Sequence, residues 1–100
     1  LRMIAARLRT SDRRRVEFGA YGTTRRLARL LVELAADGRP SGTVVVLRGG
    51  LTQDDLAGMV GASRESVARA LATLRTLGFV STGRRQVAVL DLVGLRGFAN

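Results

Sequence analysis

Apolar residues recur along this chain in two periods. Leu27, Leu30, Leu31 and Leu34 are spaced by threes and fours, which places them on one side of a helix. Ahead of them, Leu1, Ile4, Ala5 and Leu8 form a narrower stripe beside Arg2, Arg7 and Arg9, the kind of seam by which one helix meets another, with packing on this same domain or a basic amphipathic helix on an anionic membrane as the alternatives. Gly19 and Gly22 bracket Tyr21 and interrupt the pattern, which predicts a hinge, with Thr23 or Thr24 able to cap the helix that follows. That helix is expected to stop near Asp37-Gly38, before a polar loop holding the sole proline, Pro40. The period then changes. Thr43-Val44-Val45-Val46-Leu47 is short and β-branched and predicts a strand, with a turn at Gly49-Gly50.

From Leu51 onward the local signals are denser. Thr52 precedes Gln53-Asp54-Asp55, so its hydroxyl can cap a helix start while two carboxylates sit at the positive end of the helix dipole. Asp55 stands three residues after Thr52, a shortened capping box. Leu56, Ala57 and Val60 give this short helix its buried side, Gly61 permits a left-handed turn, and Ser63 caps a second helix. Two helices joined by about three residues form a helix-turn-helix. At about 100° per residue, Val67, Ala70, Leu71 and Leu74 fall on the inner side of the second helix, and Arg64, Glu65, Ala68 and Arg69 on the outer. Gly78 ends it. Phe79-Val80-Ser81-Thr82 and Gln86-Val87-Ala88-Val89-Leu90 then read as two strands around Gly83-Arg84-Arg85, a wing with two arginines at its tip. Asp91 can cap a last helix carrying Leu92, Leu95 and Phe98, expected to fray because Gly94 and Gly97 lower its propensity. The fold class predicted is mainly α with a small β component: a winged helix-turn-helix over residues 21–100, preceded by an amphipathic helix over residues 1 to about 18.

Composition narrows the chemistry. With 100 residues there is room for one core. The absence of His and Cys excludes zinc sites, disulfides and His- or Cys-based catalysis in this chain, and Asp54 and Asp55 serve better as helix-start charges than as an acid–base pair. An enzyme is therefore not expected. The formal charge of +9 comes from 17 arginines, with no lysine, against 8 acids, which favours a polyanion as partner. A GC-rich genome imposes the same arginine preference, so only the placement of each arginine argues function. No apolar run of 18 residues exists and the first residues lack the succession of a signal peptide, which predicts a cytoplasmic domain and no membrane partner. The start at Leu1 predicts a piece of a longer chain.

The outer side of the second helix has the shape for a DNA major groove, because Ala68 and Ala72 keep it low between two arginines. Arg64 and Arg69 can donate to guanine O6 and N7, and Glu65 can accept from cytosine N4. Thr52, Gln53, Ser63 and Ser66 lie at helix starts, where hydroxyls and free amides hold phosphates, and Arg84 and Arg85 would do so from the wing. Two competing readings stand beside this. The Glu65–Arg69 spacing is also that of a solvated ion-paired helix face, and winged helices also serve as protein–protein interaction modules without base readout.

The stretch Leu51-Thr-Gln-Asp-Asp-Leu-Ala-Gly-Met-Val-Gly-Ala-Ser-Arg-Glu-Ser-Val-Ala-Arg-Ala-Leu71 resembles the helix-turn-helix of the cyclic AMP receptor protein and FNR family of bacterial transcription factors. The likeness continues through the wing to Val89. Upstream, Thr24-Arg25-Arg26-Leu27-Ala28 looks like the family's hinge and first DNA-domain helix, and residues 1–20 like the end of its dimerisation helix. The resemblance implies a homodimeric regulator that reads TGTGA-like half-sites of double-stranded DNA through Arg64, Glu65 and Arg69. It implies control by an upstream effector domain, with cyclic AMP or another effector bound there and no cofactor within these residues. Thr10 or Ser11 would lie near that effector. The loop from Asp37 to Thr43 lies where relatives contact RNA polymerase.

Overall fold

A computed structural model describes residues 22–100. The expectations for the first stripe, Thr10, Ser11 and the Gly19 end of the hinge lie outside the described residues.

Helix α1, described over residues 22–35, buries Leu27, Ala28, Leu31 and Ala35 and keeps Leu30 and Leu34 at the half-buried margin of the same face. Residue 22 is already helical, so Thr23 and Thr24 lie inside the helix rather than capping it, and Thr24 is buried there. One glycine costs a helix about 1 kcal/mol, less than the burial of a single leucine returns, at about 1.5–3 kcal/mol.

The chain leaves α1 by a turn in which the amides of Ala36, Asp37 and Gly38 bond back to the carbonyls of Glu33, Leu34 and Ala35. Strand β1 (Arg39–Ser41) follows and pairs antiparallel with β2 (Val44–Val46) in the register Arg39 to Val46, Pro40 to Val45, Ser41 to Val44. The polar loop expected before Thr43 thus contains a strand. All three β1 residues are exposed, so no alternation of burial marks them in the sequence. Pro40 is tolerated because β1 is an edge strand.

The helix-turn-helix follows as α2 (Gln53–Val60) and α3 (Arg64–Thr76), then strands β3 (Val80–Gly83) and β4 (Gln86–Val89), then α4 (Leu92–Ala99). The antiparallel sheet runs in the order β1-β2-β4-β3, with Val45 opposite Val89 and Gly83 opposite Gln86. One core joins helices and sheet: Leu27, Leu31, Leu56, Val67, Leu71, Leu74, Val89 and Leu95 are sealed from solvent. Helix α4 belongs to it. Its Leu95 and Ala99 are buried, and the Phe98 ring lies 5.7 Å from that of Phe79, an aromatic contact that offsets the glycines. Among the described residues no helix is long and apolar enough to cross a membrane.

Candidate nucleic-acid interface

Each end of the helix-turn-helix is fixed by a local bond predicted from residue type. The Thr52 hydroxyl accepts from the Asp55 amide at 3.1 Å, and the Asp55 carboxylate accepts from the Thr52 amide at 2.9 Å, closing the capping box. The hydrogen bond from the Thr52 amide, and after it one from the Thr52 side chain, hold the Asp55 carboxyl below its ordinary pKa, and the charge of Arg85 adds to the effect. Helix α2 ends at Gly61, which takes φ 79° and donates to the Ala57 carbonyl, as does the Ala62 amide. The Ser63 hydroxyl oxygen then accepts from the Ser66 amide at 3.0 Å to start α3.

With the turn set, α3 has no freedom in how it faces the core. Val67, Ala70, Leu71 and Leu74 are its buried residues, and Arg64, Glu65 and Arg69 stand exposed on the opposite side, with Ala68 and Ala72 half-buried beside them. The arginine pairing differs from the competing reading of the sequence. Among the described residues Glu65 and Arg69 make no ion pair. Arg69 instead reaches the Ser66 hydroxyl at 3.4 Å, and Arg64 Nε lies 3.7 Å from an Asp54 carboxylate oxygen on α2. Asp54, read from the sequence only as a helix-start charge, is thus a neighbour of Arg64. No local spacing reveals this, since the turn brings together residues ten apart.

The wing hairpin closes through Arg84-Arg85, with Arg85 at φ 56°, the left-handed region where glycine or asparagine is the usual occupant. The guanidinium of Arg75, on the last turn of α3, donates to the Thr82 hydroxyl at 2.9 Å and ties the wing to that helix. Thr52, Gln53, Arg64 and Arg85 line one cleft of about 190 Å³ between the start of α2, the start of α3 and the wing. Glu65, Ser63, Ser66 and Arg69 lie on or beside the first two turns of α3, and Arg84 faces a second cleft on the far side of the wing. The Ser63 hydroxyl donates to Ser66 Oγ at 2.9 Å, so its proton is engaged within the protein.

A short capped helix, a glycine turn, a second helix with one apolar and one charged side, and a two-stranded wing together make a winged helix-turn-helix. Residues 25–98 match the family model of the Crp-like helix-turn-helix domain, and the chain belongs to that family, the DNA-binding domain type of Crp-Fnr regulators. It is 33% identical over 92 residues to a CRP-like cAMP-activated global transcriptional regulator of Mycobacterium tuberculosis, covering 91% of this chain and 41% of the relative. The catabolite activator protein of Thermus thermophilus is similar in structure, with a TM-score of 0.79, 29% identity, and coverage of 97% of this chain and 43% of that one. The reduced CO-sensing protein of R. rubrum gives a TM-score of 0.76 at 26% identity, over 96% of this chain and 45% of that one. The chain therefore spans less than half the length of these relatives.

Proposed function

We propose that this chain binds DNA in a sequence-specific manner and forms the reading domain of a dimeric, cytoplasmic transcription regulator. The observation that carries the reading is the two-sidedness of α3. Its inner face is packed, while Arg64, Glu65 and Arg69 stand outward on a side kept low by alanines. In this reading Arg64 and Arg69 recognise guanines and Glu65 a cytosine of TGTGA-like half-sites. Gln53, Thr52, Ser63, Ser66, Arg84 and Arg85 hold backbone phosphates. Two copies present their α3 helices to half-sites about one DNA turn apart, about 34 Å.

Residues 1–20 supply the end of a dimerisation helix and residues 21–100 the DNA-binding domain. The relative of M. tuberculosis is cAMP-activated, and by analogy an effector bound outside this chain repositions the first helix and sets the spacing of the two α3 helices. The segment from Asp37 to Thr43, which holds the exposed strand β1 and Gly42 at φ 65°, is the surface offered to RNA polymerase.

Binding-site selection from random duplexes tests the reading, with a palindromic TGTGA-like motif as the expected product. Arg69→Ala should then cost about 1–3 kcal/mol and relax preference at one base pair. Enrichment of no motif would instead mark the domain as an interaction module, and equal loss by the variant on selected and random duplexes would remove Arg69 from base readout.

A further inference from the structure

The root of the wing and its tip are held by different means. At the root, backbone fixes the direction. The Phe79 amide donates to the Leu74 carbonyl at 3.0 Å and the Gly78 amide to the Arg75 carbonyl at 2.9 Å, with Gly78 at φ 83°, the paired hydrogen bonds that close a helix on a glycine. Val80, Val87 and Val89 are then buried in the core. Beyond them the hairpin leaves the core, and Gly83, Arg84, Arg85 and Gln86 are all exposed. Gly83 pairs with Gln86, so Arg84 and Arg85 make a two-residue loop. Two-residue loops whose twist matches that of their strands have positive φ at the first loop residue. Here the second, Arg85, has it and Arg84 does not. The turn therefore does not aim the tip by itself.

Among the described residues one side-chain hydrogen bond joins the hairpin to α3, from Arg75 Nη1 to Thr82 Oγ1 at 2.9 Å. Thr82 is well placed for leverage. It stands opposite Val87, one rung before the pair that closes the loop, and walls the cleft that also holds Thr52, Arg64 and Arg85. Arg75 lies in the last turn of α3, where the helix dipole favours a cation. No carboxylate pairs with it among the described residues, so its fork is directed at a neutral hydroxyl, a bond strengthened by the charge of the donor.

We propose that Arg75 and Thr82 are a positioning pair: they set the angle of the wing against α3, so that Arg84 and Arg85 meet phosphate while α3 lies in its groove. The inference rests on the DNA-binding reading above and adds to it two residues that act through the wing arginines. A tip free to swing must be ordered when DNA binds, which costs affinity, whereas a tip already held does not.

The test uses the whole chain and two variants at one position. Thr82→Val removes the acceptor, keeps every charge and suits a strand, while Thr82→Ser keeps the hydroxyl. Without DNA, backbone order parameters from NMR relaxation should fall at Gly83, Arg84 and Arg85 in Thr82→Val, hold at Val87 and Val89, and match the unsubstituted protein throughout in Thr82→Ser. On duplexes carrying TGTGA-like half-sites, Thr82→Val should bind about threefold to tenfold more weakly. It should also lower the salt slope by about one although no arginine is removed, and leave base preference as it was. Thr82→Ser should stay within about twofold of the unsubstituted protein. In an Arg84→Ala/Arg85→Ala background Thr82→Val should cost nothing further, because no wing charge is left to place. Unaltered order parameters in Thr82→Val, or unaltered affinity, would overturn the proposal. So would a loss of full size in the background lacking the wing arginines, which would make Thr82 a direct DNA contact. Failure of the DNA-binding reading looks different: the unsubstituted protein would then bind half-site and scrambled duplexes equally, while the order parameters would still report whether Arg75 holds the wing.

Discussion

Arg64 and Asp54 face each other across the helix-turn-helix, Nε to carboxylate oxygen 3.7 Å, with both side chains mostly exposed. An exposed pair of this kind contributes little to folding, but it places a carboxylate beside an arginine assigned to base contact. Asp54→Asn should leave the melting temperature nearly unchanged and tighten DNA binding about fivefold at low salt, about 1 kcal/mol. The gain should fade as salt rises. Fluorescence anisotropy at two salt concentrations measures it, and unchanged or weaker binding would show that Asp54 assists rather than opposes contact.

Arg85 adopts φ 56° at the wing tip. A left-handed residue other than glycine costs about 1–2 kcal/mol, so Arg85→Gly should stabilise the fold, less the entropy glycine regains on unfolding. The same change should weaken binding to every duplex alike and lower the salt slope by about one. Opposite signs in melting temperature and affinity are the expected pattern. A drop in both would mean the arginine is held by contacts that outweigh its backbone strain.

Asp55 is the carboxylate whose pKa folding depresses, through its hydrogen bonds with Thr52 and then the charge of Arg85. A depressed folded pKa means that the stabilisation is present above the unfolded value, near about 3.9, and is lost as pH falls through the folded one. The melting temperature of the unsubstituted chain should therefore fall on acidification below about pH 4 more steeply than that of Asp55→Asn. Parallel acid profiles would remove Asp55 from this role.

Gly94 lies where a side chain has no room, because a Cβ there would meet the Asp91 carboxylate and stand 2.8 Å from the Phe79 ring. Gly94→Ala gains about 1 kcal/mol in helix propensity yet should destabilise by about 1–3 kcal/mol through overpacking. The Gly94 amide donates to Asp91 Oδ1 at 2.9 Å, so the cap of α4 is disturbed as well. Chemical denaturation decides the sign, and a net gain in stability would show that Phe79 gives way freely.

The helix-turn-helix is legible in the sequence because each signal that sets it is local. Thr52 and Asp55 lie three residues apart, Gly61 stands at the turn, and the buried set of α3 follows from a 100° step alone. Three features were not legible. Strand β1 is exposed at every residue and held only by backbone pairing. The Arg64–Asp54 pair depends on the angle at which two helices meet. Arg39 and Arg48 lie far from the wing in sequence, and only the hairpin register and the sheet order bring them beside it. Gly22 misled in the other direction, since it is helical and a local break signal yields to a buried leucine face.

Helix α1 is gripped at both ends of the domain. Arg26 donates to the Val60 carbonyl at the end of α2, Arg29 donates to the Ala99 carbonyl at 3.0 Å, and Arg25 lies over the Phe98 ring. Its leucines also share a close-packed interior with α3, and such interiors transmit force with little give. A twist applied to α1 is accordingly expected to carry α2, α3 and α4 with it, which makes the first described helix the handle on the face that holds Arg64, Glu65 and Arg69.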